Sequence, residues 1–469
     1  MTEEPSEAAP SGRSERRPRL ISGAMLGLAS GAILVPLNST MLAVALPSVM
    51  DEFGVGAATV ASLVTLYLGA VAVTLPVSGS LGDRFGHRRV FLVGVAGFAI
   101  ASALAATAGS FEVLALSRVV QAVTGGLVST SSVALLRAMS PPDRRGSAFG
   151  LFDMLVSTSA AVGPLVGGLL VAGLGWRSLF VVAVPVALLA AVAVGALAPP
   201  HKVPARAAPR PIDLPGLGLL AAFLVSLLLG LRGLDGGGAE SLAIVAAPFL
   251  LVLFVLTELR TEHPAVDPRL FASRPFAAAV IGVFGTTAIL HGTLVLVPLL
   301  VERLQGGDAQ TSGVVLLGIS ALGALAAPIG GRYSDVTGRR RPAVLGTLAC
   351  VGGLGALWIM APESTTLVLG ALLAVVGFGM GLAGAPRQTA ALELIEQERV
   401  GMAAGTYLTG RYVGGALGAT LAGAVLGGTV TAGGVSTGFG ILAAVGVGVA
   451  VASLFLPGRR ARLVDCVPA

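Results

Sequence analysis

Of the 469 residues, 55% are hydrophobic, 66 are Gly and only 12% are charged. Soluble domains carry about 25% charged residues, so this composition excludes a soluble enzyme, a disordered chain and a nucleic-acid binder. A net charge of +6 is small for such a length.

A membrane-spanning helix uses about 20 apolar residues, and the apolar and Gly positions suffice for about fourteen of them. Residues 1–19 are polar, with Arg13, Arg16, Arg17 and Arg19 just before the first apolar run. That run is too long for a signal-peptide core and lacks a small-residue cleavage site, so it reads as an uncleaved first span. Spans are predicted at 20–46, 57–78, 90–108, 112–136, 147–172, 178–198, 214–231, 241–258, 276–300, 311–331, 343–361, 366–386, 399–427 and 436–457. They are too long for strands and lack dyad alternation, which predicts an all-α polytopic bundle rather than a barrel.

Charge placement sets the expected orientation. With the N-terminus cytoplasmic, the outer segments hold only Arg177, Arg232 and Arg303, and Arg118 and Arg411 fall inside spans. Every other Lys and Arg lies on the inner side, so both termini are expected in the cytoplasm. Cys350 and Cys466 form no disulfide or metal framework, and no cofactor or metal is expected.

An internal repeat runs through the chain. Gly79-Ser-Leu-Gly-Asp83-Arg84-Phe-Gly86-His-Arg88-Arg89 follows the second span, and Gly331-Arg-Tyr-Ser-Asp335-Val-Thr-Gly338-Arg339-Arg340-Arg341 follows the tenth at an offset of 252. A second echo links Arg145-Gly146-Ser-Ala148-Phe-Gly150 to Val400-Gly401-Met-Ala403-Ala-Gly405. Spans 1–6 and 9–14 therefore read as two related halves, 20–198 and 259–457. Tails 1–19 and 458–469 and a linker with two inserted helices at 199–258 complete the chain. Repeated halves with a midplane binding site are a carrier architecture. In the Gly-Asp-Gly-basic segments, read as loops, Gly permits φ > 0 and the aspartates can accept from a helix N-terminus or an arginine. They serve either as solvated topology signals or as a latch that breaks and reforms as the halves rock.

These motifs resemble those of the major facilitator superfamily, and more narrowly its 14-helix drug–proton antiporter branch. The segment Gly79–Arg89 is similar to the superfamily's signature loop. Leu37-Asn38-Ser-Thr40-Met-Leu-Ala-Val-Ala45-Leu46-Pro47 resembles the branch's first-helix motif, Arg118-Val-Val-Gln121 its arginine motif, and Gly163-Pro164-Leu-Val-Gly167-Gly168 its antiporter motif. Gly175-Trp176-Arg177 and Pro268-Arg-Leu270-Phe271 are also similar to the branch. Three positions depart from the pattern. Asn38 stands where the branch usually has Asp, Ala122 where it has Gly, and Ser159 where it has Gly. Only the first removes a carboxylate.

The residues of span 5 carry their own reading. Ser157, Ala160, Ala161, Pro164, Gly167 and Gly168 form a small-residue face that lets helices approach closely. It serves either packing alone or, as the resemblance implies for exporters, a seal that hinders proton leak.

Charges inside spans are expensive and usually functional, and three are placed there: Arg118, Asp153 and Arg411. Asn38 and Arg118 lie at similar depth, so they can face each other. Asp153 comes back to the small-residue face and is the first proton-carrier candidate, with a structural anchor as the alternative. His291 is the second candidate, or a satisfied core histidine. Arg411 either bonds backbone carbonyls or meets an anionic substrate group. Together with Asn38, Arg118, Gln121 and Tyr407 it forms the set of substrate-cavity candidates, to which Tyr412 and Trp358 add aromatic surface.

The expected function is proton-driven export of hydrophobic or amphipathic small molecules, such as antibiotics, by alternating access. The alternative is a facilitator or organic-anion exchanger without proton coupling, motivated by Asn38 and Arg411. The expected partners are a small-molecule substrate, protons and the lipid bilayer, with no nucleic acid, and the chain is expected to act as a monomer. Lys202 is the single lysine, a bias that suits a GC-rich bacterial genome and an inner-membrane location. No catalytic cluster, nucleophile elbow or phosphate loop is evident, so no enzymatic activity is expected.

Overall fold

A computed structural model describes residues 23–140, 145–197, 213–232, 239–262, 264–393, 395 and 400–458. They are helical, with no strand among the described residues. The first span is α1 (Gly23–Met41), a 3-10 turn (Leu42–Ala45) and α2 (Leu46–Phe53) in series. It is followed by α3 (Ala57–Phe85), α4 (His87–Ala106), α5 (Phe111–Met139), α6 (Arg145–Leu174) and α7 (Ser178–Leu197). The inserted pair is α8 (Leu214–Arg232) and α9 (Ala239–Arg260). The second set is α10 (Arg274–Arg303), α11 (Ala309–Thr337), α12 (Arg340–Met360), α13 (Thr366–Leu392), α14 (Val400–Leu426) and α15 (Ala432–Ser453).

Among the described residues, twelve helices are long and apolar enough to cross a membrane. The other two expected spans are α8, an apolar helix of 19 residues, and α14, thinned by Gly and Thr and carrying Arg411. Side-chain caps start several helices: Ser110 on α5, Asp308 on α11, Thr365 on α13 and Thr431 on α15 each accept a backbone N–H of the first turn. Such caps satisfy donors that a helix start leaves unpaired. The Thr311 hydroxyl and N–H hold the Asp308 carboxyl below the usual carboxylate range.

The internal repeat is also a repeat of packing. In the first set, α1 packs on α5, α6 and α7, α5 on α3 and α4, and α4 on α7. In the second, α10 packs on α13, α14 and α15, α13 on α11 and α12, and α12 on α15. Two seams join the sets, α3 against α14 and α6 against α11. Each exchanges the second helix of one set for the fifth of the other. The inserted helix α8 packs on α9 and also lies against both α3 and α14.

The helix ends differ from expectation in one instructive way. Gly79, Asp83 and Arg84 do not lie on a loop, because α3 continues through Phe85; Asp335 likewise lies within α11. The reversal is confined to single residues, Gly86 (φ 88°) and Gly338 (φ 85°), a backbone region that Gly enters without a Cβ penalty. The polar residues before each glycine extend the helix by further turns.

Candidate functional site

The most elaborate polar site inside the bundle is built by five helices of the first set. Arg118 of α5 is fully buried. Its Nη1 donates to Asn38 Oδ1 of α1 and to Gln121 Oε1 one turn on, at 2.9 Å. Gln121 Nε2 donates to Ser102 Oγ of α4 at 2.7 Å, and Ser102 Oγ donates to the Phe98 carbonyl. The guanidinium lies 4.0 Å from the ring centroid of Tyr67 of α3 and 6.0 Å from that of Phe180 of α7. Tyr67 Oη in turn donates to the Val35 carbonyl at 3.1 Å. The partners are thus two amide oxygens and two aromatic faces, with no carboxylate among them. Arg118 Nε and Nη2 are buried without a hydrogen-bond partner. A buried charge is normally paired; here amide dipoles and the ring quadrupole of Tyr67 carry that task.

Asn38, Arg118 and Gln121, expected at one depth, are therefore brought together. Tyr67, Ser102 and Phe180 complete the site and were not evident in the sequence. Their residue types carried a weak signal at best: Tyr67 is one of only four tyrosines.

The remaining candidates fall elsewhere. Asp153 lies on α6, but its side chain is outside the described residues. His291 of α10 is buried, with Nδ1 3.1 Å from the Thr287 carbonyl. It sits at the α3–α14 seam, where a Cβ on Gly415 would meet both His291 and Leu68. Arg411 is exposed midway along α14, and its carbonyl accepts from Thr287 Oγ1 at 2.7 Å. Tyr407 is buried in an apolar cluster with Phe276, Val280 and Ala403 inside the second set. Tyr412 is partly buried against the main core. Trp358 lies over Gly440 of α15 and is exposed.

A fourth intramembrane charge must be added. Arg387, expected past the end of span 12, lies within α13 and is 2% exposed. The helix runs through Pro386, which membrane helices tolerate when neighbours re-satisfy the backbone. Arg387 donates to Thr286 Oγ1 at 2.6 Å, to Thr347 Oγ1 and to Ser453 Oγ at 3.4 Å.

The residues of the antiporter motif face two neighbours. A Cβ on Gly163 would strike Thr40, and one on Gly167 would lie 2.8 Å from the Met41 carbonyl, so both face α1. Gly168 faces the other set, where a Cβ would sit 2.5 Å from the Ala309 carbonyl. Gly313 of α11 meets the Pro164 carbonyl. In the second set α14 does the same. Gly414 and Gly418 lie against α10, Gly423 lies against α3, and Gly415 meets both. The Ser157 side chain is outside the described residues.

Bonds between the two sets gather toward one end. Thr65 Oγ1 meets Thr420 Oγ1 at 2.9 Å, Ala58 N donates to the Gly427 carbonyl at 3.2 Å, and Arg303 pairs with Asp51 at 2.5 Å. At that end Gly175 (φ 78°) turns the chain so that Trp176 and Arg177 both bond Glu52. Trp176 also packs edge-on against Phe53.

At the opposite end the two repeated turns bond within their own sets. Asp83 pairs with His87 at 3.3 Å, and Asp335 with Arg339 at 3.1 Å, each one helical turn apart across its glycine. Arg339 also pairs with Glu393 of the segment after α13 at 3.0 Å. Arg88 donates to the Gly195 carbonyl of α7. Its counterpart Arg340 donates to the Leu456 carbonyl just beyond α15, at 2.8 Å. Each turn is thereby tied to the last helix of its own set. Arg84 stacks on Phe85, and Gly79 has ordinary room, with Thr130 3.9 Å from a Cβ placed there.

Two repeated six-helix sets, joined by two exchanged seams and with a buried polar centre inside the first set, define a polytopic helical transporter. The family model described as Major Facilitator Superfamily matches residues 28–419, and the chain belongs to that superfamily. It is 32% identical to the tetracenomycin C resistance and export protein of Streptomyces glaucescens over 84% of this chain and 73% of that one. It is 30% identical to the puromycin resistance protein pur8 of Streptomyces alboniger, covering 82% of this chain and 78% of that one. Among solved structures, a D-xylose–proton symporter superposes with a TM-score of 0.67 at 14% identity, over 93% of this chain and 98% of that one. That likeness speaks for the fold alone. The chain is a multi-pass membrane protein with relatives named for drug resistance and export.

Proposed function

We propose that the protein exports hydrophobic or amphipathic small molecules, of the antibiotic class, from a bacterial cytoplasm. The observation that carries this reading is the pair of exchanged seams, each faced by small residues, with the bonds between the two sets gathered toward the Asp51 end. That arrangement suits two halves, 20–198 and 259–457, that rock about the seams in alternating access. The protein then acts as a monomer in the inner membrane with both termini cytoplasmic, and is not an enzyme. The names of relatives similar over most of the chain supply the direction and the substrate class.

Proton antiport is the proposed energy source, with Asp153 as the carrier, His291 as a second titratable group at the seam, and the Arg118 centre setting the field around them. The repeated turns at Gly86 and Gly338 act as the latch at the cytoplasmic end. The test is efflux from proteoliposomes with an imposed proton gradient, run against a drug panel. Efflux should require the gradient and collapse with a protonophore, and Asp153→Asn should remove the dependence. Undiminished efflux without a gradient would refute proton coupling while leaving export in place.

One observation favours a second reading, a facilitator or organic-anion exchanger. Arg411 is exposed midway along α14, where it can meet an anionic substrate. Gradient-independent counterflow of an organic anion would establish it.

A further inference from the structure

The inserted helix α8 does more than fill space beside the seam. A cavity of about 300 Å³ lies where α8, α3, α5 and α14 meet. Gly69, Val73 and Val123 form its wall on the first set, Leu224 comes from α8, and Leu417 and Thr420 come from the second set. The cavity lies on the flank of the α3–α14 seam, and no charged residue lines it. We propose that it is a second binding site, for a small, uncharged, mainly apolar molecule that enters from the membrane.

Four features define the occupant. The volume is at the lower end of the range for small-molecule pockets. The absence of any charged lining group disfavours a charged ligand, which would lose its hydration without compensation. Three threonines line the wall, and each hydroxyl is already engaged. Thr74 donates to the Ala70 carbonyl at 2.7 Å and Thr420 to the Ala416 carbonyl at 2.8 Å. Thr65 is held between Thr420 Oγ1 and the Ala416 carbonyl. Their remaining lone pairs accept, so a ligand with one N–H or O–H donor is matched. The apolar flanks of Val123 and Val225 are exposed, which leaves the cavity a route to the hydrocarbon.

The site stands apart from the export reading, because binding is read on purified protein without transport. The probe is 4-aminobenzophenone, which is neutral, apolar, photoreactive and carries one donor group. After irradiation of the full chain in nanodiscs, peptide mapping should show saturable labelling on 66–74 or 221–227, competed by N-phenyl-1-naphthylamine. A quaternary-ammonium benzophenone should not label there. Gly69 has room for a Cβ, with Leu224 Cδ1 at 3.7 Å, so Gly69→Ala should label normally. Gly69→Leu fills the space and should cut labelling at least about tenfold. Ala221→Leu fills it from α8 and serves as an independent arm should Gly69→Leu fail to fold by circular dichroism. Unsaturable labelling spread over lipid-facing helices, labelling unchanged in both filling variants, or competition by phospholipid but not by the naphthylamine would each overturn the proposal. Loss of export with labelling intact would remove the proposed function and leave this site.

Discussion

Arg118 and Arg387 occupy corresponding helices of the two sets, α5 and α13, and both are buried without a carboxylate bonded to them. Their surroundings nevertheless differ in kind. Arg118 is held by the amide oxygens of Asn38 and Gln121, which can only accept. Arg387 is held by three hydroxyls, and each of those already donates to a carbonyl of its own helix: Thr286 to Gly282, Thr347 to Ala343 and Ser453 to Val449. Removing Arg387 strands nothing. Removing Arg118 leaves two buried acceptors facing each other. The first arginine organises its site, whereas the second is accommodated by one.

The largest effect is therefore expected from Arg118→Met. Each orphaned amide oxygen costs about 1–3 kcal/mol, and the stacking on Tyr67 is lost, worth up to about 2 kcal/mol where desolvated. Taking an unpaired charge out of the interior offsets part of this. The variant should fold with a lowered melting temperature and export nothing measurable in vesicles. Wild-type efflux in this variant would reduce the centre to packing.

Arg387→Met should be milder. No partner is orphaned, so its melting temperature should stay near the wild type or rise, and export should fall only in part. A collapse as deep as that of Arg118→Met would end the contrast between the two sites.

Asn38→Asp sharpens the comparison by supplying the missing carboxylate. It would pair with Arg118 Nη1 in a charge-assisted bond, stronger than the amide bond it replaces. The variant should therefore melt above the wild type at neutral pH, and protonation of the new carboxyl in acid should remove that advantage. Measured as melting temperature against pH, wild type and variant should converge at low pH. Parallel curves would show that the introduced carboxyl stays uncharged in the site.

Much of this was readable before the fold. The depths of Asn38 and Arg118 along their spans placed them opposite each other, because rise per residue is fixed in a helix. The Gly-Asp-Gly repeat placed a reversal within 79–89 and within 331–341 from a backbone requirement tied to residue type, but it reads as a loop where Gly86 and Gly338 alone turn the chain. What stayed hidden was azimuth. Helices that are apolar all round carry no stripe to show which way they face, so Tyr67, Ser102 and Phe180 gave no sign of converging on Arg118. The split of Gly163 and Gly167 from Gly168 was hidden likewise. Arg387 was missed for a different reason. Pro386 and the polar residues after it read as a helix end, whereas hydroxyls on three other helices hold Arg387 inside the bundle.

The smallest expected effects separate the two arginines through residues one bond further out. Ser102→Ala removes the acceptor of Gln121 Nε2, and a buried amide donor without a partner will rotate toward another acceptor. That rotation turns Oε1 away from Arg118 Nη1 and leaves Asn38 alone to hold the cation. Thr347→Val removes one of two hydroxyls that serve Arg387 Nη2, and Ser453 Oγ remains within 3.4 Å of it. The first change therefore propagates to the arginine and the second does not. Ser102→Ala should lower the melting temperature and slow export measurably, at a stability cost of about 1–3 kcal/mol. Thr347→Val should stay within about 1 kcal/mol of wild type and export normally. Equal effects would mean that the Arg118 network is no more connected than the hydroxyl cradle of Arg387.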